Sequence, residues 1–96
     1  MTDCQKNIKS LWHELVVQEP NRYGYRYATF AGVRYRVRTA SEGLHFGCFS
    51  LYQQQRPSGG WCPAESTELR PFGMESSALE DAACAIVSAH SSPAAT

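Results

Sequence analysis

The segment NRYGYRYATFAGVRYRVR, residues 21–38, gathers five arginines, four tyrosines and a phenylalanine, with no acid among them. Arg22, Arg26, Arg34, Arg36 and Arg38 suit anion recognition, because a guanidinium is planar, permanently charged and offers a fork of donors that matches phosphate or carboxylate. Tyr25 and Tyr27 add rings on which a base or a guanidinium can stack. The expected chemistry is docking on an anionic macromolecule, with no cofactor, no metal and no covalent step. Arginines on alternate positions of a strand stand about 7 Å apart, and like charges side by side on a sheet repel mildly. An anionic partner would relieve that cost. The plainer alternative is an edge hairpin whose solvated charges discourage pairing between sheets.

Other residues with chemical potential are more scattered. Cys62, in GGWCP, sits in a loop where a thiolate could be exposed, and His45 is the histidine that could serve it as a base. A thiol enzyme is therefore the outside case. His45 and Cys48 are three apart, which in a strand sends them to opposite faces, and His13 and His90 belong to different helices. No pair shows the ligand spacing of a zinc site. Gly59-Gly60 lacks the lysine and the following helix that a phosphate-cradling loop requires. Glu65 with Glu68, and Glu80 with Asp81, read as solvated charges.

The chain as a whole is formally neutral, with 43% hydrophobic and 19% charged residues, which are values of a folded globular domain. The charge is unevenly shared. Residues 1–48 carry seven Lys/Arg against four Asp/Glu, and residues 49–96 carry two against five. Such a dipole argues against indiscriminate nucleic-acid binding by net charge, so an anion site must be local. Cys4, Cys48, Cys62 and Cys84 are irregularly spaced with no CxxC pair, and the N-terminal MTDCQKNIKS lacks the basic-then-apolar order of a secretory signal. These features lead to the expectation of reduced thiols in a cytoplasmic protein, with Cys84 packed as a small hydrophobe among alanines. No apolar run approaches the length of a membrane span.

The elements that must hold the arginines follow from periodicity. Ile8, Leu11, Trp12, Leu15 and Val16 form one stripe of a first helix, capped by Thr2 or Asp3 and stopped by Pro20. That stripe reads as core, since a chain this short needs it. Alternation in YGYRYATF and VRYRVR predicts two strands joined as an antiparallel hairpin at Ala31-Gly32. A two-residue loop pairs Tyr27 with Arg36 and Tyr25 with Arg38. A three-residue loop, Phe30 to Gly32, turns Tyr23, Tyr25, Tyr27, Val33, Tyr35 and Val37 toward the core and all five arginines outward. The second register separates the faces better and is preferred. In both, Arg34, Arg36 and Arg38 share a face.

GLHFGCFSLYQQQ is apolar on both faces, as expected of a central strand. RPSGGWCP is a loop whose Trp61 would fold back on the edge of the core. A short strand over 66–69 is expected, and then a helix over about 77–89 with Ser77 and Glu80 as a capping box. Its inward stripe is Leu79, Ala82, Ala83, Ile86, Val87 and His90. Residues 91–96 are expected to be a disordered tail on a single domain, 1–90. The result is an α+β two-layer sandwich, with a three- to four-stranded antiparallel sheet and helices at both ends of the chain in α-β-β-β-α order.

That order is similar to the double-stranded RNA-binding domain. The family reads phosphates with a basic cluster at the start of its last helix, where this chain has Glu75, Ser76, Ser77, Ala78, Leu79, Glu80 and Asp81. An acidic turn there repels phosphate, so none of the family's binding residues carries over. The functional expectation stays with the hairpin. It would be a non-enzymatic module docking on nucleic acid or nucleoprotein, or else a small inhibitor or adaptor, of the kind mobile elements encode, gripping an acidic protein patch. An exposed edge strand could also pair with a second copy.

Overall fold

The computed structural model describes residues 3–42 and 47–91. Among these the order is α1 (Asp3–Val16), β1 (Tyr25–Phe30), β2 (Val33–Glu42), β3 (Gly47–Gln54), β4 (Glu65–Ser66) and α2 (Glu75–Ser91). The strands form one antiparallel sheet in the order β1-β2-β3-β4. This is the α+β architecture expected, with α2 lying across β2 and β3, and α1 against α2 and β1. Thr2 as a cap, the beginning of the third strand at 43–46 and the tail at 92–96 lie outside the described residues. No helix among the described residues is long and apolar enough to cross a membrane.

The hairpin takes the two-residue loop rather than the preferred three-residue one. Ala31 and Gly32 both have positive φ, 53° and 77°, which matches the strand twist and lets Phe30 pair with Val33. The pairs are Tyr25 with Arg38, Tyr27 with Arg36 and Ala28 with Tyr35. Tyr25 and Tyr27 therefore lie on the outer face with Arg34, Arg36 and Arg38. Ala28, Tyr35 and Val37 lie inside.

Arg26 is on the inner face, 6% exposed, where the preferred register had placed it outside. Its charge is met there. Nε donates to the Gln18 carbonyl at 3.2 Å, and NH2 lies 2.8 Å from Glu75 Oε1. Glu75 Oε2 also accepts from Thr39 at 3.0 Å. Sorting residues by polarity alone failed because a buried arginine with two acceptors is tolerable, while tyrosine rings can be covered outside by guanidiniums.

The outer edge of β1 is closed by the segment that follows α1. The Gln18 side-chain amide donates to the Tyr27 carbonyl and accepts from the Tyr27 amide, as a neighbouring strand would. One residue pair further along, Asn21 donates its main-chain N–H to the Tyr25 carbonyl at 2.9 Å, and its Oδ1 accepts from the amides of Tyr23 and Tyr25. α1 ends at Val16, well before Pro20. Val16, expected in the inward stripe, is exposed, as is Val17 beyond it.

The core is formed by Leu11, Leu15, Ala28, Tyr35, Val37, Leu79, Ala82, Ala83, Ile86 and Val87, with Ile8 and Trp12 packed at its margin. Trp12 Nε1 donates to the Ser76 carbonyl at 2.9 Å and ties the two helices together. α2 starts at Glu75, so Ser77 lies inside the first turn instead of capping it, and its amide donates to the Met74 carbonyl. Cys84 is exposed, contrary to its expected packing.

Beside β3, the segment after the loop pairs only at 65–66 and again at Arg70 opposite Cys48, displaced from the 66–69 strand expected. Between them the fully buried Ser50 Oγ is satisfied by Thr67 Oγ1 at 3.0 Å.

Candidate functional site

Outer-face positions alternate along each strand, so the register sets a layer of side chains on the side of the sheet away from the helices. From β1 come Tyr25 and Tyr27, from β2 Arg34, Arg36 and Arg38, and from β3 Gln53, with Leu51 and Phe49 further along the same face. Trp61 joins them. Its pairing with Gln55 sets it on the outer face instead of at the core edge.

These groups interleave. The Arg36 guanidinium carbon lies 4.2 Å from the Tyr25 ring centroid and 4.4 Å from that of Trp61. Arg34 is 4.9 Å from the Tyr27 ring, and Arg38, directly opposite Tyr25 across the strands, is 5.7 Å from its ring. Tyr27 and Trp61 rings stand 6.3 Å apart. Arg36 Nε donates to Gln53 Oε1 at 2.8 Å, and Gln53 Nε2 donates to the Cys62 carbonyl at 3.0 Å. Gln53 thereby fixes both the arginine and the main chain that carries Trp61.

Among the described residues the ion pairs are Arg26 with Glu75 and Arg70 with Asp81, both away from this layer. Arg34, Arg36 and Arg38 have rings and an amide as neighbours and, among the described residues, no carboxylate at ion-pair distance. A guanidinium stacked on a ring keeps its in-plane N–H donors pointing outward, which orients it for an incoming oxyanion. Arg22 stands before β1, exposed, with NH2 donating to the Tyr23 hydroxyl at 2.9 Å and its carbon 5.0 Å from that ring.

The structure thus brings together Arg34, Arg36, Arg38, Tyr25 and Tyr27, leaves Arg22 outside β1 in the turn that precedes it, and separates Arg26 onto the opposite face. Trp61 and Gln53 were not anticipated in this layer. Gln53 was legible as an outward residue of β3, but nothing local in GGWCP tells which way the tryptophan turns.

The inner side of the sheet holds a different group. Cys62, half-buried, lines a cavity of about 150 Å³ with Tyr35, Tyr52 and Glu65. Burial pushes the Tyr35 hydroxyl above its ordinary range, with Cys62 adding to the effect. Tyr52 is pushed to about 12 by burial and by its 2.9 Å hydrogen bond to Glu65. Tyr35 also shares a hydrogen bond with His90 of α2, whose ring meets Phe30 edge-on. His45, the base suggested for Cys62, is outside the described residues. No group of three His, Cys, Asp or Glu among the described residues could hold a metal ion.

Comparison of the chain with protein-family models, with curated proteins and with solved structures returned no match.

Proposed function

We propose that the chain is a non-enzymatic binding module that docks on nucleic-acid phosphates through the outer face of its sheet, with Arg34, Arg36 and Arg38 as the row of contacts and Arg22 near its margin. The observation that supports this reading is the row of arginines without carboxylate partners among the described residues, with Arg36 held between Tyr25 and Trp61. Arginines at alternate positions of one strand match a regularly charged nucleic-acid strand better than an irregular acidic patch. The rings already carry guanidiniums, so contact is with phosphate oxygens and binding is tolerant of sequence.

A second reading has its own support. Tryptophan, tyrosine and arginine together are the residues that dominate protein interfaces, so the same face would also suit an acidic patch on a protein, as an inhibitor or adaptor does. Binding of a fluorescent oligonucleotide over a range of salt concentrations separates the two. Phosphate contact by three or four arginines gives a log–log slope of about −2 to −3. The variant Arg34→Glu/Arg36→Glu/Arg38→Glu, shown to be folded by circular dichroism, is expected to lose the oligonucleotide. If it binds as tightly as the wild type, the reading fails. Wild-type partners that survive nuclease but are lost with the triple substitution favour the protein target.

A further inference from the structure

One feature extends the arginine row beyond the sheet. At the end of the sheet, between the hairpin tip and the loop that follows β3, lies an open depression of about 360 Å³ whose walls include Gly32, Arg34, Gln54, Gln55 and Arg56. We propose that this depression receives the terminal phosphate monoester of a nucleic-acid strand whose internal phosphates follow Arg34, Arg36 and Arg38, a proposal that rests on the reading above.

Chemically, the depression differs from its neighbours. Its wall contains no acid, whereas the larger hollow beside α2 is lined by Glu68 and Asp81, and the inner cavity by Glu65. Neither Arg34 nor Arg56 has a carboxylate at ion-pair distance among the described residues. Two arginines in one wall, Arg34 and Arg56, suit a group with more than one charge. A monoester carries about −1.5 to −2 at neutral pH and three acceptor oxygens, against a single charge on an internal diester.

The position of Arg56 is built in. Gln55 donates its amide to the Arg34 carbonyl at 2.8 Å, which extends the β2–β3 pairing to the rim. The loop then closes on itself. The Arg56 amide donates to the Gly60 carbonyl at 2.7 Å, the Gly59 amide to the Arg56 carbonyl at 2.8 Å, and Gln55 Nε2 to the Gly59 carbonyl at 3.1 Å. Gly59, at φ +100°, has the conformation that this closure needs. Arg34 belongs both to the depression and to the row on β2, so a strand lying along β2 reaches the depression at its end.

The test compares short single-stranded oligonucleotides that differ only in a terminal phosphate or hydroxyl, by fluorescence anisotropy, on wild type and Arg56→Ala. The phosphorylated end is expected to bind about tenfold more tightly to wild type. Arg56→Ala should abolish that preference and keep the affinity for the hydroxyl-ended strand. Millimolar inorganic phosphate should erode the preference without displacing the hydroxyl-ended strand. Equal affinity for the two ends in wild type, or a preference that survives Arg56→Ala, overturns the proposal while leaving the binding face standing. Failure of both oligonucleotides to bind overturns the face and the depression together.

Discussion

Trp61 lays its ring on the Arg36 guanidinium, 4.4 Å from centroid to carbon, and so caps the central arginine of β2 from a loop at the far side of the sheet. The contact holds the guanidinium with its edge outward and covers an apolar ring that would otherwise face water. A cation–ring contact at an exposed site contributes about 0.5–1 kcal/mol. Trp61→Ala should therefore weaken oligonucleotide binding by about two- to fivefold, and Trp61→Phe by less, as measured by anisotropy at fixed salt.

Arg26 should behave as the opposite of Arg36. Its partner Glu75 is 55% exposed at the side chain, so the pair is partly screened, but Glu75→Gln leaves a buried guanidinium without its carboxylate. The expected loss is about 1–3 kcal/mol in urea unfolding, with the salt slope of oligonucleotide binding unchanged. A changed slope would mean that Arg26 belongs to the binding face after all.

Alkaline pH should unfold the protein through its inner tyrosines. Tyr52 and Tyr35 hold their protons more tightly folded than unfolded, Tyr52 up to about 12. Their contribution is complete below the ordinary tyrosine value of about 10 and is lost as pH rises through the folded value. The Tm should fall between about pH 10 and 12. Tyr52→Phe should lower Tm at neutral pH, through loss of the Glu65 hydrogen bond, and flatten the alkaline decline.

Phe72 occupies a position that glycine would fill more comfortably. It has φ +58° in the turn closed by the Gly73 amide on the Arg70 carbonyl, and it is 79% exposed, so little packing offsets the strain. Phe72→Gly should stabilise by about 1 kcal/mol, a rise of about 4–8 °C in Tm for a domain of this size. No gain in a thermal scan would mean that the ring makes a stabilising contact in solution.

Much of the architecture was legible because it is written in short-range periods. The stripe from Ile8 to Leu15, the alternation on both sides of Ala31-Gly32 and the apolar run around Ala82 to Val87 each name an element without help from the rest. The common face of Arg34, Arg36 and Arg38 was equally legible, since any strand places alternate residues together. The register was not. It depended on Gln18, Glu75 and Thr39, which reach Arg26 or its carboxylate from distant segments and make burial of that charge acceptable. Trp61 was out of reach for the same reason, because its orientation is set by Gln53 and Arg36 across the sheet.

The amide of Gln18 against Tyr27, with Asn21 against Tyr25, carries a consequence for assembly. A chain of molecules joined sheet to sheet grows only when every copy offers two open edges, one to receive and one to donate. Here one edge is already occupied from within. Any strand addition is thereby left to the β4 side, where a two-fold pairing would end at two copies instead of extending into a fibre.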